Sequence, residues 1–151
     1  MELQNDKHLE EKVSLKLFIV LSRAFQSISK RVEEDIKSHG LNPTEFAVLE
    51  LIYNKGNQPI QKIGDKVLIA SSSITYVVDK LEKKGYLQRQ PCPKDRRITY
   101  AAITEAGTDL MNEIFPEHRE AIQEIFAGLD LNEKEFMIHQ LKKLGYYAQE
   151  L

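Results

Sequence analysis

Residues 93–107 read PKDRRITYAAITEAG and bring an ammonium (Lys94), a carboxylate (Asp95) and two adjacent guanidinium groups (Arg96, Arg97) into four consecutive positions after a Pro-X-Asp turn signal. A guanidinium is a permanently charged, planar fork of donors. A carboxylate two residues before it can accept from it and hold it extended. A tip built this way suits phosphates or an electronegative groove. The plainer reading is a surface Asp–Arg pair that tightens a loop, which contributes little by itself.

Upstream, ASSSITYVVDKLEKKGYL carries a second set of candidate groups. Ile74, Val77, Val78 and Leu81 fall at i, i+3, i+4 and i+7, so they predict a helix with one apolar stripe, Ser71 as its cap and Gly85 as its stop. The opposite face presents Ser72, Tyr76, Asp79 and Lys83, flanked by Thr75 and Lys80. Ser72, Ser73, Thr75 and Tyr76 have the length to meet base edges, and Lys80, Lys83 and Lys84 can reach phosphates. Asp79 is awkward near phosphates and is placed to orient Lys83, four residues on. Taken alone, this face also reads as an ordinary solvated one.

The elements that must position these groups follow from periodicity. Val13, Leu17, Leu21, Phe25, Ile28, Val32 and Ile36 predict one helix over 9–38, about 45 Å long at 1.5 Å per residue, stopped by Gly40. That length exceeds what a small domain covers, so part of its stripe is expected to pack on another chain. Asn42, Pro43 and Glu45 form a capping box with a first-turn proline, opening a second helix that buries Phe46, Leu49, Ile52 and Tyr53. KGNQP breaks the chain, and IQKIGDKVL makes a short third helix. YLQRQ and ITYAAI predict two strands around PCPKDRR, a β-hairpin. Thr104 caps a fifth helix that Pro116 interrupts and Gly128 ends. A capping box of Asn132 and Glu135 opens the last, with Phe136, Leu141, Leu144 and Tyr147 as its apolar residues.

The formal net charge is −2 over 151 residues, yet residues 58–104 hold nine Lys/Arg against four Asp/Glu. That stretch is therefore +5 and the remainder −7. Such asymmetry suggests a nucleic-acid face on an acidic body, with a chance local excess as the alternative. No apolar run reaches the roughly 18 residues of a membrane span. MELQNDKHLEEK lacks the layout of a signal peptide, so the expectation is a soluble cytoplasmic protein. The single cysteine, Cys92, fits a reducing compartment. There is no Gly-rich nucleotide loop, nucleophile elbow or metal-spaced cluster, which points away from an enzyme and from any cofactor or resident metal.

Two short helices joined by a tight turn and followed directly by a hairpin make a winged helix-turn-helix. The second helix enters the major groove and the hairpin tip reaches the adjacent minor groove. Arg97 is the candidate for insertion there, with Arg96 and Lys94 on flanking phosphates. The run LEKKGYLQRQPCPKDRRITYAAITEAG resembles the signature of MarR-family winged-helix transcription regulators, with Ile103 where the family has leucine. The order of elements from about residue 10 to 150 is similar as well, and the fold class implied is mainly α with a small β-hairpin wing.

The resemblance implies one domain over 1–151, with dimerisation helices at about 9–38 and 105–151 and a DNA-binding lobe at about 42–104. It implies a homodimeric repressor on near-palindromic double-stranded DNA, released by a small-molecule effector. Ser71, Ser72, Ser73, Thr75, Tyr76, Lys80 and Lys83 then serve as recognition-helix contacts, and Lys94, Asp95, Arg96 and Arg97 as the wing. Many members carry a basic residue where this chain has Tyr76. Phe25, His39, Phe46, Phe115 and His118 fall in regions that line the family's effector crevice, and each also suits a plain core position. Redox sensing through Cys92, metal sensing, and a winged helix used for protein contacts are the alternatives.

Overall fold

The computed structural model describes residues 1–67 and 71–151, the side chains of Glu2, Ser71 and Ser72 excepted. In chain order these residues form α1 (Glu2–Ser38), α2 (Pro43–Lys55), β1 (Gln58–Pro59), α3 (Ile60–Val67), α4 (Ser71–Lys83), β2 (Leu87–Pro91), β3 (Thr99–Ile103), α5 (Glu105–Ile125) and α6 (Leu131–Gln149). No helix among the described residues is long and apolar enough to cross a membrane.

The first helix begins at Glu2, a full two turns before the predicted start. No glycine or proline interrupts residues 1–39, and acidic residues in the early turns suit the positive end of the helix dipole. It ends where Gly40 takes a φ of 81°, with the Gly40 amide donating to the Lys37 carbonyl at 3.0 Å. The next helix starts as its capping box requires. The Glu45 amide donates to Asn42 Oδ1 at 2.8 Å, and the Asn42 amide donates to Glu45 Oε1 at 3.3 Å. The third helix, its last predicted residue Leu68 lying outside the described residues, begins at Ile60. Ser71 opens α4, and the residue that would cap it also lies outside the described residues.

The hairpin is part of a three-stranded antiparallel sheet in the order β1-β3-β2, and β1 is absent from the sequence-based expectation. Gln58 pairs with Ala101 and Pro59 with Tyr100. Two residues show no alternation, and a proline is tolerated there because β1 is an edge. On the other side of β3, Leu87 pairs with Ile103 and Pro91 with Thr99.

The core lies between α2, α4, the sheet and the first half of α5. Val48, Leu49, Ile52, Ile63, Val78, Leu81, Leu87, Ala101 and Met111 are all fully buried there. Each large member contributes about 1.5–3 kcal/mol by leaving water. The stripe Ile74, Val77, Val78 and Leu81 is buried as predicted, which fixes the rotation of α4 and turns its polar face outward.

Three expectations for the C-terminal part are corrected. Pro116 lies inside α5 without interrupting it; its ring is exposed, so water can take the carbonyl left unpaired one turn back. The helix ends at Ile125, with the Phe126 amide on the Ile122 carbonyl at 3.1 Å, so Phe126, Gly128 and Leu129 follow it in a turn. The last helix is capped by Asp130 and Glu133, not by Asn132 and Glu135. Both pairs have the capping spacing, and the earlier frame adds two residues of helix. No residue of α6 is buried; Phe136, Leu141, Leu144 and Tyr147 face solvent. The stripe of α1 divides likewise: Ile36 is buried, while Val13, Leu17 and Phe25 are exposed.

The junction between the sheet and α5 is tight at Gly107. A Cβ there would press on the Tyr86 carbonyl oxygen and lie 2.8 Å from Ile103 Cγ1. Alanine normally favours a helix over glycine by up to about 1 kcal/mol. Overpacking against backbone costs about 1–3 kcal/mol and outweighs that gain. Gly107→Ala should therefore lower the urea midpoint of unfolding; an unchanged or raised midpoint would show that this junction yields.

Candidate nucleic-acid interface

With its stripe against the core, α4 presents Ser73, Thr75, Tyr76 and Lys83 to solvent, and Lys80 half-exposed. Ser71 and Ser72 belong to its first turn. The Lys80 ammonium lies 5.5 Å from the centre of the Tyr76 ring, a cation–π contact that gathers both side chains into one cationic, stackable group.

The wing tip is held by its own hydrogen bonds. The Cys92 amide donates to the Ile98 carbonyl at 3.0 Å, and the Ile98 amide to the Asp95 carbonyl at 3.1 Å. Asp95 Oδ1 accepts from the Arg97 amide at 3.0 Å and from Arg97 Nε at 3.1 Å, and Oδ2 accepts from Nη2 at 3.2 Å. The carboxylate thus fixes both backbone and side chain of one arginine, whose own side chain remains 90% exposed. Those bonds from Arg97 hold the Asp95 carboxyl below its ordinary range. Gln61, in the first turn of α3, donates from Nε2 to the Arg97 carbonyl at 3.2 Å and ties the tip to the helix-turn-helix. Lys94 and Arg96 are exposed on the same loop, and Cys92 is half-buried at its base.

Two expected roles change. Asp79 does not orient Lys83; its Oδ1 accepts from Arg89 Nη2 at 2.6 Å, because β2 runs back alongside α4 and delivers a guanidinium there. Lys84 is not free for phosphate: its ammonium donates at 2.7 Å to Glu45 Oε2, a carboxylate only 3% exposed that also accepts in the α2 capping box. The sequence reading missed Gln61, Arg89 and Glu45 as positioning groups. Their partners lie 36, 10 and 39 residues away, beyond any local pattern; a basic residue amid the short strand LQRQ was the one available hint.

The residues singled out for a crevice separate into two groups. Phe46 and His118 have ring centres 4.6 Å apart, and Phe115 and His118 6.2 Å. His118 Nδ1 lies 2.7 Å from Asp35 Oδ2, and His39 Nε2 3.5 Å from Asp35 Oδ1. Phe46 and His118 are buried, so this is a packed junction of α1, α2 and α5. Burial raises the Glu50 carboxyl above its ordinary range, and the positive charge available to His118 opposes that rise. Phe25 is not part of it: it is exposed on α1, ten residues or about 15 Å before Asp35. An open groove runs beside the junction between α1 and α5, with Arg31, Asp35 and Ile125 among its lining.

A buried-stripe helix with an outward polar face, a preceding short helix and a braced basic hairpin define a winged helix-turn-helix DNA-binding protein. Residues 41–99 match the MarR family. The chain is 57% identical over 137 residues to the HTH-type transcriptional regulator MhqR of Bacillus subtilis, covering 91% of this chain and 94% of that one. It is 44% identical to the uncharacterised regulator YkoM of the same organism, covering 97% and 94%. The chain belongs to the MarR family of DNA-binding transcriptional regulators. Its fold is shared by a mutant MarR of Escherichia coli solved with operator DNA (TM-score 0.77, 20% identity, 85% and 93% covered). It is also shared by BpsR of Bordetella bronchiseptica, whose DNA binding is regulated by 6-hydroxynicotinic acid (TM-score 0.76, 23% identity, 86% and 98% covered).

Asp95 gives a direct probe of the wing. Its depressed folded value means that the Asp95–Arg97 brace is present at and above the ordinary carboxylate range and is lost only as pH falls through the lowered value. A carbon-detected NMR titration should find Asp95 titrating below the usual carboxylate value of about 3.9 in the wild type and near it in Arg97→Ala. Equal values in both proteins would show that the brace does not persist in solution.

Proposed function

We propose that this regulator is a homodimeric repressor that grips a near-palindromic operator and is released by a small-molecule effector. The observation that carries the DNA-contact part is the wing arginine: its side chain is 90% exposed, yet one carboxylate holds its backbone amide and two guanidinium nitrogens. Such a group loses little conformational freedom on entering a narrow, electronegative minor groove. Ser71, Ser72, Ser73, Thr75 and Tyr76 then read the major groove, with Lys80, Lys83, Lys94 and Arg96 on phosphates. The operator complex of the E. coli neighbour supports the docking mode.

What α1 and α6 leave exposed supports the homodimer. Leu17, Val20 and Leu21 of α1 and Phe136, Leu141 and Leu144 of α6 line one apolar groove, and no residue of α6 is buried. Contiguous apolar surface of this kind marks an interface, and a two-fold axis would set two wings on two half-sites about 10 bp apart. In this reading residues 9–38 and 105–151 serve dimerisation and 42–104 bind DNA. BpsR, responding to an aromatic carboxylic acid, supports release by an effector seated beside the junction of α1, α2 and α5.

Binding to a duplex from the chain's own upstream region, measured across a salt series, tests the DNA contacts. Arg97→Ala should weaken affinity about tenfold and flatten the slope of log K against log salt by about one if the group meets a phosphate. Wild type without preference over an unrelated duplex would overturn the operator reading. Sedimentation tests the assembly: the wild type should run as a dimer, and Leu141→Glu, which sets a charge in the apolar groove, as a monomer that no longer holds a two-half-site duplex. A wild-type monomer at micromolar concentration would overturn it.

A further inference from the structure

Arg89 sits in the middle of β2, opposite Ala101 of β3. It joins the hairpin to the recognition helix at three points. Nη2 donates to Asp79 Oδ1 at 2.6 Å, Nη1 donates to Glu82 Oε1 at 3.2 Å, and its backbone amide donates to Glu82 Oε2 at 3.2 Å. Asp79 and Glu82 are three residues apart and so share one side of α4. The Arg89 side chain is 30% exposed, against 90% for Arg97, and its outer nitrogens are already engaged. It is therefore poorly suited to touch DNA itself.

We propose that Arg89 is a positioning residue for operator recognition: it clamps the wing to α4, so that Arg97 reaches the groove beside the one α4 reads. This rests on the DNA contacts proposed above for α4 and Arg97. β1 pairs with β3 only at Tyr100 and Ala101, so the hairpin tip beyond Thr99 is the part most free to swing. The remaining side-chain ties between wing and helix-turn-helix among the described residues are neutral and exposed: Asn57 Nδ2 to Gln90 Oε1 at 3.4 Å, and the Gln61–Arg97 bond at the tip itself. A lone surface ion pair would constrain little. A forked cation shared by two carboxylates, with a backbone bond to one of them, fixes direction as well as distance. The same contact matters electrostatically. Without Arg89, two carboxylates beside the DNA-facing side of α4 would stand uncompensated near the phosphates.

The test is a double-mutant cycle on one duplex selected for wild-type binding, with affinities by fluorescence anisotropy and folding checked by urea unfolding. Arg89→Ala should weaken binding on the order of tenfold. The Arg97→Ala penalty, about tenfold in wild type, should shrink to about twofold in the Arg89→Ala background, because a displaced tip has little left to lose. Arg89→Lys keeps the charge without the fork and should recover only part of the loss. The pair Asp79→Asn with Glu82→Gln releases the clamp from the helix side, adds no negative charge, and should show the same reduced Arg97 penalty. It replaces Arg89→Ala in the cycle if that variant unfolds. Independent penalties, multiplying to about a hundredfold in the double variant, would overturn the proposal. So would an Arg89→Ala protein that binds as wild type. Wild type that binds no duplex would overturn the DNA reading and this inference together, and is recognised by every variant being silent.

Discussion

A chain with more acids than bases must approach a polyanion, and the acids nearest the contact have to be compensated within the protein. Three of the four acids in residues 58–104 are: Asp95 by Arg97, and Asp79 and Glu82 by Arg89. Glu45, buried under the same lobe, is paired to Lys84. Each pair also performs a mechanical task. One stiffens the wing tip, one fastens the hairpin to α4, and one ties the end of α4 to the start of α2. Burying Glu45 without a cation would be costly, so the Lys84 ammonium is committed to it rather than to a phosphate. The cations of this stretch left pointing outward are Lys62 and Lys66 on α3, Lys83, Lys94, Arg96 and the braced Arg97, with Lys80 half-exposed over Tyr76.

Aim comes from packing. The buried stripe of α4 sets its rotation to within the tolerance of a close-packed core, and its polar face has no freedom to turn inward. Glycine at position 107 lets the next helix begin directly against the Tyr86 carbonyl, so hairpin and α5 leave the sheet in fixed directions. Recognition helix, hairpin and α5 are thus one packed body, and the ion pairs trim the orientation that the apolar contacts establish.

What was legible in the sequence is what is local. The capping box of Asn42 and Glu45, the stripe of α4, the Thr104 cap and the Asp95–Arg97 pair are all set within a few residues. Where two local patterns overlapped, at Asp130 and Asn132, spacing alone could not choose between them. Strand β1 escaped because its partners lie on β3, more than forty residues on, and two residues carry no period. Lys84 and Asp79 were misread for the same reason. Their counter-ions arrive from another element, and a helical wheel knows only its own helix.

The long first helix belongs to two environments. Its C-terminal third packs on the lobe through Ile36 and, through Asp35, meets His118 of α5 beside Phe46 of α2. Its N-terminal half and α6 carry apolar faces that stay exposed among the described residues. The contact at Asp35 differs in kind from the apolar packing around it. Apolar contacts slide at small cost, whereas a buried carboxylate–imidazole pair is directional and expensive to leave unmade. A small rotation of α1 against α5 therefore works against this short contact, and less against the longer, more exposed approach of His39 to Glu117. The Asp35–His118 pair thus stands where the helix that carries the exposed apolar stripe meets the helices that pack the winged-helix lobe.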